Sequence, residues 1–346
     1  MKNNDRNKKI DVMRGMLITM VVWGHCNLPG TKFVYLFHMT AFIMISGYFY
    51  KVKAYSFDQL VKTLGNIVRK YWLQYVIPVV GITIFMYYLK SLFGELYVYE
   101  DDFLNVYFPQ GLGNKVLKEL IMVQAGPFTG QLWFIRNLLI VHVLFVVIDY
   151  VVLSVTRKAR IRYAVHYLVG SALLLLGFYL KMRGWNSPIE YNVERAMMTY
   201  VIYLFGFTYG SIFRRSSKDI VLFVISIPVL VVACNYKKID LVALEIINPL
   251  FFLMVSVCGW LFINYLSALL SKIKLLLKVL SFLGENSYYI FVLHFLMMWI
   301  YDITFKDKGY VLGRFLFGLI LPVIFYLLVK QIGLKVKESK RIKKNN

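Results

Sequence analysis

The chain has 346 residues, 59% of them hydrophobic and only 17% charged, with a formal net charge of +22. An ordinary soluble domain carries about a quarter charged residues, so this balance argues against one. The basic charges fall in short clusters between apolar runs and not along one face of a domain, which excludes nucleic acid as the partner.

Ten apolar runs follow one another, at approximately 11–29, 33–50, 71–90, 132–153, 163–180, 196–213, 219–236, 247–266, 282–303 and 310–330. A helix needs roughly 20 residues to cross a bilayer core. Lipid offers no hydrogen bonds, so each run is predicted to satisfy its own backbone as a helix. The expected fold class is therefore all-α: a polytopic membrane bundle of about ten transmembrane helices, one domain over 1–346, with a basic tail at about 331–346. Pro78, Pro228, Pro249 and Pro322 fall inside runs and are expected as tolerated kinks. The first run contains Arg14 and His25 and lacks a small-x-small cleavage site, which distinguishes it from a cleavable signal.

With the N-terminus placed inside, the inner segments hold 26 Lys and Arg and the outer segments 12. That asymmetry puts 51–70, 157–162 and 272–278 in the cytoplasm together with both termini, and 91–131 outside. The outer segment 91–131 is long and aromatic and carries Glu100, Asp101 and Asp102. It reads either as a solvated loop with an interfacial helix or as an acceptor-binding lid. The tail from Lys335 to Lys344 is expected to lie on the lipid surface. Cys26, Cys234 and Cys258 have no spacing that suggests a disulfide framework or a zinc site, and no metal is expected.

Ionisable residues inside a membrane are expensive and therefore functional candidates. The runs contain Arg14, His25, His38, Arg136, His142 and His294. Arg14 and His25 are 11 residues apart. At about 100° and 1.5 Å per residue they share one helix face, roughly 16 Å apart along the axis. One groove would then offer a cation at its inner mouth and an imidazole deep inside. His142 lies off any recognisable motif and is expected to be structural. His166, at the inner end of its run, is expected at the interface. Arg136 is expected to pair with the acidic outer loop or to meet a substrate.

The segment Ile10-Asp11-Val12-Met13-Arg14-Gly15 followed by Trp23-Gly24-His25 resembles the opening signature of the acyltransferase-3 family of membrane-bound acyltransferases, with its Arg-x₁₀-His spacing. Phe37-His38-Met39 and Ile45-Ser46-Gly47-Tyr48 are similar to the family's second-helix segment, with Thr40 where a Pro is usual. Leu132-Trp133-Phe134 and Gly284-Glu285-Asn286-Ser287-Tyr288 followed by Leu293-His294 resemble two further segments, in family order. The family's cytoplasmic Arg-x-x-Arg is met here by Asn66 and Arg69, with Lys62 and Lys70 nearby.

The resemblance implies transfer of an acyl group, usually acetyl from cytoplasmic acetyl-CoA, to a hydroxyl of a cell-surface polysaccharide or lipid-linked glycan. It implies no permanently bound cofactor; acyl-CoA is the donor substrate, and the expected setting is a bacterial plasma membrane. Some members continue into an extracytoplasmic esterase-like domain, and here transfer is expected from the membrane domain or a partner. His25 is the expected base or nucleophile, since imidazole titrates near neutrality and a sugar hydroxyl needs a base. His38, Ser46 and His294 are expected to donate to the developing oxyanion. Arg14, Arg69 and Lys70 are expected to hold coenzyme phosphates, and Trp133 and Arg136 to face the acceptor. The competing readings are a secondary transporter or flippase-like exporter and a non-catalytic subunit of a glycan-synthesis complex. Paired repeats with matching broken helices, the usual pointer to a transporter, are not seen.

Overall fold

The structure is a computed structural model and describes residues 8–51, 56–93, 111–123, 125–185, 187, 192–212, 220–236, 239–305 and 310–345. In chain order the helices are α1 (Lys8–His25), α2 (Thr31–Tyr35), α3 (His38–Tyr48), α4 (Phe57–Phe93), α5 (Gly111–Leu120), α6 (Trp133–Val155), α7 (Ala159–Met182), α8 (Asn192–Ile212), α9 (Ile220–Tyr236), α10 (Pro249–Leu270), α11 (Lys274–Glu285), α12 (Ser287–Phe305) and α13 (Val311–Asn345). The fold is all-α. The acidic residues Glu100, Asp101 and Asp102 lie outside the described residues.

Among the described residues, six stretches are long and apolar enough to cross a membrane: Phe57–Leu89, Gly130–Val155, Ala159–Met182, Pro249–Leu270, Ser287–Phe305 and Val311–Ile332. Four of the ten predicted runs fall short of that measure, three of them for visible reasons. Helix α1 carries Lys8, Lys9, Asp11 and Arg14 in its first two turns. Helix α3 has 11 residues and α9 has 17.

Two predicted runs are broken. The run 33–50 stops at Leu36 and restarts at His38, because Phe37 takes a non-helical backbone with φ −146°. Its side chain packs where a Cβ on Gly259 would stand, so tertiary packing overrides local periodicity. The run 282–303 is cut at Asn286, whose side-chain Nδ2 donates to the Phe282 carbonyl at 2.8 Å. That short polar side chain competes with the helical ladder and ends α11. Conversely, much of two segments expected as cytoplasmic loops is helical: α4 begins at Phe57 and α11 at Lys274. Lys and Arg are good helix formers and do not stop a helix that hydrophobicity alone would end at the membrane surface.

The chain forms two compact units, Met1–Pro29 with Leu270–Asn346, and Gly30–Leu269. In the first, α1 crosses α11 with backbones in contact. A Cβ on Gly15 would strike the Leu280 carbonyl, and one on Gly284 the Asp11 carbonyl. Small residues permit such approach in membrane bundles, where van der Waals packing drives association. Helix α13 closes this unit: Trp23 meets Phe315 edge-on at 5.6 Å, and Tyr289 stacks on Tyr326.

In the second unit α3 crosses α8 in the same way, Gly47 against the Tyr203 carbonyl and Gly206 against the Met44 carbonyl. An aromatic core forms around Phe145, which touches Tyr50, His166, Tyr203 and Phe207.

Candidate active site

In the first unit the sequence brings two histidines together. His25 is the last residue of α1. Its ring lies 5.3 Å from that of His294 on α12, tilted by 30°. Phe295 packs against both, 4.4 Å from His25 and 4.6 Å from His294. His294 is fully buried. Its Nδ1 lies 3.0 Å from the Ile290 carbonyl and 2.9 Å from that of Phe291. Its Nε2 is buried with no hydrogen-bond partner among the described residues.

The end of α1 is fixed from α13. Arg314 Nη1 donates to the His25 carbonyl at 3.1 Å, and its Nε pairs with Asp302 Oδ2 at 3.0 Å. A helix C-terminus has carbonyls without intrahelical partners and a partial negative charge, and a guanidinium answers both. The turn beyond is held by Trp23 Nε1 on the Pro29 carbonyl, 3.0 Å, and by the Cys26 thiol on the Met298 sulfur, 3.5 Å. Arg14 is half-buried on the same unbroken helix. The helical rise places it about 16 Å from His25, roughly the length of an extended pantetheine arm.

The other predicted site residues belong to the second unit. His38 is buried, with Nδ1 2.6 Å from the Val34 carbonyl. Ser46 donates to the Phe42 carbonyl one turn back at 3.2 Å. Arg69 and Lys70 are exposed on α4, with Lys70 Nζ 5.4 Å from the Tyr71 ring. Trp133 is buried under the Arg195 guanidinium at 4.5 Å. Arg136 is buried as well; its Nη1 donates to the Met122 and Val123 carbonyls at 3.3 and 3.2 Å, and it lies over Tyr75. It therefore ties the segment before α6 to that helix. His142 sits among Tyr50, Tyr71 and Tyr203, as a packing residue would.

Three features were not anticipated. The first is the Arg314–Asp302 clamp on His25. The second is His166, expected at the interface, whose side chain is fully buried within the protein. Its Nε2 lies 3.2 Å from Asp149 Oδ1 and its Nδ1 2.7 Å from the Tyr200 hydroxyl. Arg162 grips the same carboxylate with two bonds of 2.6 and 2.8 Å, and the Tyr50 hydroxyl donates to it at 2.7 Å. Asp149 inside an apolar run was the signal for this network.

The third is Glu119 on α5, fully buried. Thr83 donates to its Oε1 at 2.7 Å, while Oε2 has no hydrogen-bond partner among the described residues. Burial pushes this carboxyl up to about 7, against the opposing pull of Thr83 and Lys115.

A helical bundle with membrane-length spans and an imidazole pair in an aromatic nest is the setting of a multi-pass membrane enzyme. A family model for the acyltransferase domain, acyltransferase-3, matches residues 7–330, nearly the whole chain. The chain belongs to that family and is a membrane acyltransferase. No curated protein and no solved structure matches it.

Proposed function

We propose that this protein is an O-acyltransferase that moves acetyl from cytoplasmic acetyl-CoA to a hydroxyl of a cell-surface polysaccharide or its lipid-linked precursor. The observation that carries the reading is His25, held at the end of α1 beside a second imidazole in a chain whose family transfers acyl groups. His25 takes the proton of the acceptor hydroxyl as its oxygen attacks the thioester carbonyl. Arg14, about three turns below, supplies the cation for coenzyme phosphates. The 26-to-12 basic asymmetry supports a cytoplasmic donor side and an outer 91–131 segment in a bacterial plasma membrane.

The test is purified protein with labelled acetyl-CoA and a glycan extract from the producing cell. Wild type labels the glycan, and His25→Ala loses at least about 10²-fold in turnover, the lower bound for a general base. His25→Ala still binds acetyl-CoA. Near wild-type turnover in a well-expressed His25→Ala protein removes His25 from the mechanism. Saccharide flux into vesicles without label on any product would instead show transport.

A further inference from the structure

We infer that His294 is the proton-sharing partner of His25: the two rings act as one base that holds the acceptor's proton between them during transfer. The inference rests on the O-acyltransferase reading and adds a second group to its chemistry.

The tautomer of His294 follows from its neighbours. Nδ1 faces two backbone carbonyls at 3.0 and 2.9 Å, and a carbonyl only accepts. Nδ1 therefore carries the hydrogen, and neutral His294 presents a lone pair at Nε2. That makes it a poor oxyanion donor, the role its sequence position first suggested, and a good proton acceptor.

Nε2 is also the costly atom. It is buried and has no hydrogen-bond partner among the described residues. Leaving a buried polar group unsatisfied costs about 1–3 kcal/mol. A histidine that served packing alone would use both nitrogens or give way to Phe, which the aromatic surroundings would accept. Here one nitrogen is tied to the backbone and the other is kept bare, 5.3 Å ring to ring from the proposed base. Proton passage between the rings requires them to close to hydrogen-bonding distance when substrate binds, as catalytic hydrogen bonds commonly do. When Nε2 gains a proton, Nδ1–H stays on both carbonyls, and those bonds become charge-assisted and stronger. Those two bonds offset part of the cost of burying the positive charge, so a proton on His294 is held only in passing.

The proton balance is complete. The acceptor O–H bond breaks, its proton passes to His25, and the alkoxide oxygen forms the new ester bond. The carbon–sulfur bond of the thioester breaks. The proton held by the pair returns to the coenzyme A thiolate as thiol. Among the described residues, ionisable groups near the pair include Arg314 on the His25 carbonyl, Asp302 bound to Arg314, and the Cys26 thiol on Met298.

The experiment compares wild type, His294→Gln and His294→Phe, each checked for folding by thermal unfolding in detergent. The substrates are labelled acetyl-CoA and the same glycan extract. Expected is a fall in kcat of about tenfold or more near neutral pH, an unchanged KM for acetyl-CoA, and a displaced acid limb of the kcat–pH profile. A packing role predicts instead that His294→Phe keeps the wild-type pH profile. A folded His294→Phe with wild-type kcat and pH profile, beside an inactive His25→Ala, overturns this inference alone. A wild type that transfers no label overturns the acyltransferase reading and this inference with it. If both variants unfold, imidazole added to His294→Gly must restore turnover in proportion to its unprotonated fraction; no restoration counts against the inference.

Discussion

Arg162→Met tests the buried network of the second unit. In the wild type, Arg162 and Asp149 are joined by two bonds of 2.6 and 2.8 Å, with Asp149 fully buried. Methionine keeps much of the aliphatic volume and removes the charge. Hydrogen bonds to charged groups contribute about 1.5–3 kcal/mol each, so two give about 3–6. Breaking a buried pair from one side costs about 3–5 kcal/mol, because the surviving charge is left uncompensated. Asp149 retains the Tyr50 hydroxyl at 2.7 Å and His166 at 3.2 Å, which places the expected loss at the lower end, about 3 kcal/mol.

The assay is equilibrium unfolding in mixed detergent micelles of wild type, Arg162→Met, Asp149→Asn and the double variant. The double variant should be less destabilised than the sum of the singles, with a coupling in the range of about 0.5–3 kcal/mol for contacting residues. Additive singles, or a loss under about 1 kcal/mol for Arg162→Met, refute the claim that this pair is a buried structural tie.

Gly284→Val forces a Cβ onto the Asp11 carbonyl and should cost about 1–3 kcal/mol by overpacking the crossing of α1 and α11, whereas Gly65→Ala, whose Cβ meets nothing within 4 Å, should be neutral or slightly stabilising; thermal unfolding of both variants checks the contrast. Glu119 holds its proton to about 7 in the fold against an ordinary 4.5, so its contribution is full below pH 4.5 and is lost as pH rises through about 7. Glu119→Gln should therefore flatten the dependence of unfolding midpoint on pH across that window, and an unchanged slope would show that another group sets it.

Much of the fold was legible because the long apolar runs that become helices are written along the chain. The helices at 133–155, 159–182 and 249–270 match predicted runs closely. What was not legible depends on contacts distant in sequence. The break at Phe37 needs Gly259, and the clamp on His25 needs Arg314, which charge counting treated only as an outer cation. Asp149 was legible and overlooked: a carboxylate in an apolar run stands out by the same rule that singled out His25. For His294 the sequence supplied the residue, but its tautomer depends on where the Ile290 and Phe291 carbonyls lie.

The motif spacing itself has a geometric reading. Asp11 and Gly15 are the α1 residues whose backbones meet α11, at the Gly284 and Leu280 positions. Taking their mean direction as reference, about 100° per residue turns Arg14 and His25 roughly 80° and 60° away, both to the same side. Packing and chemistry thus use different faces of one helix. Gly15 must be small because its face is pressed against a backbone, while the adjacent Arg14 is free of that constraint and shares a flank with His25. The ten residues between Arg14 and His25 keep those two in register across about three turns, and any spacing that is not near a multiple of 3.6 would swing one of them into the α11 crossing or away from the other. Gly284, at the end of the short α11, completes the same crossing three residues before α12 begins at Ser287 on its way to His294. The opening motif and the penultimate motif are therefore two halves of one packed crossing, and the imidazole pair is built on the helices that this crossing aligns.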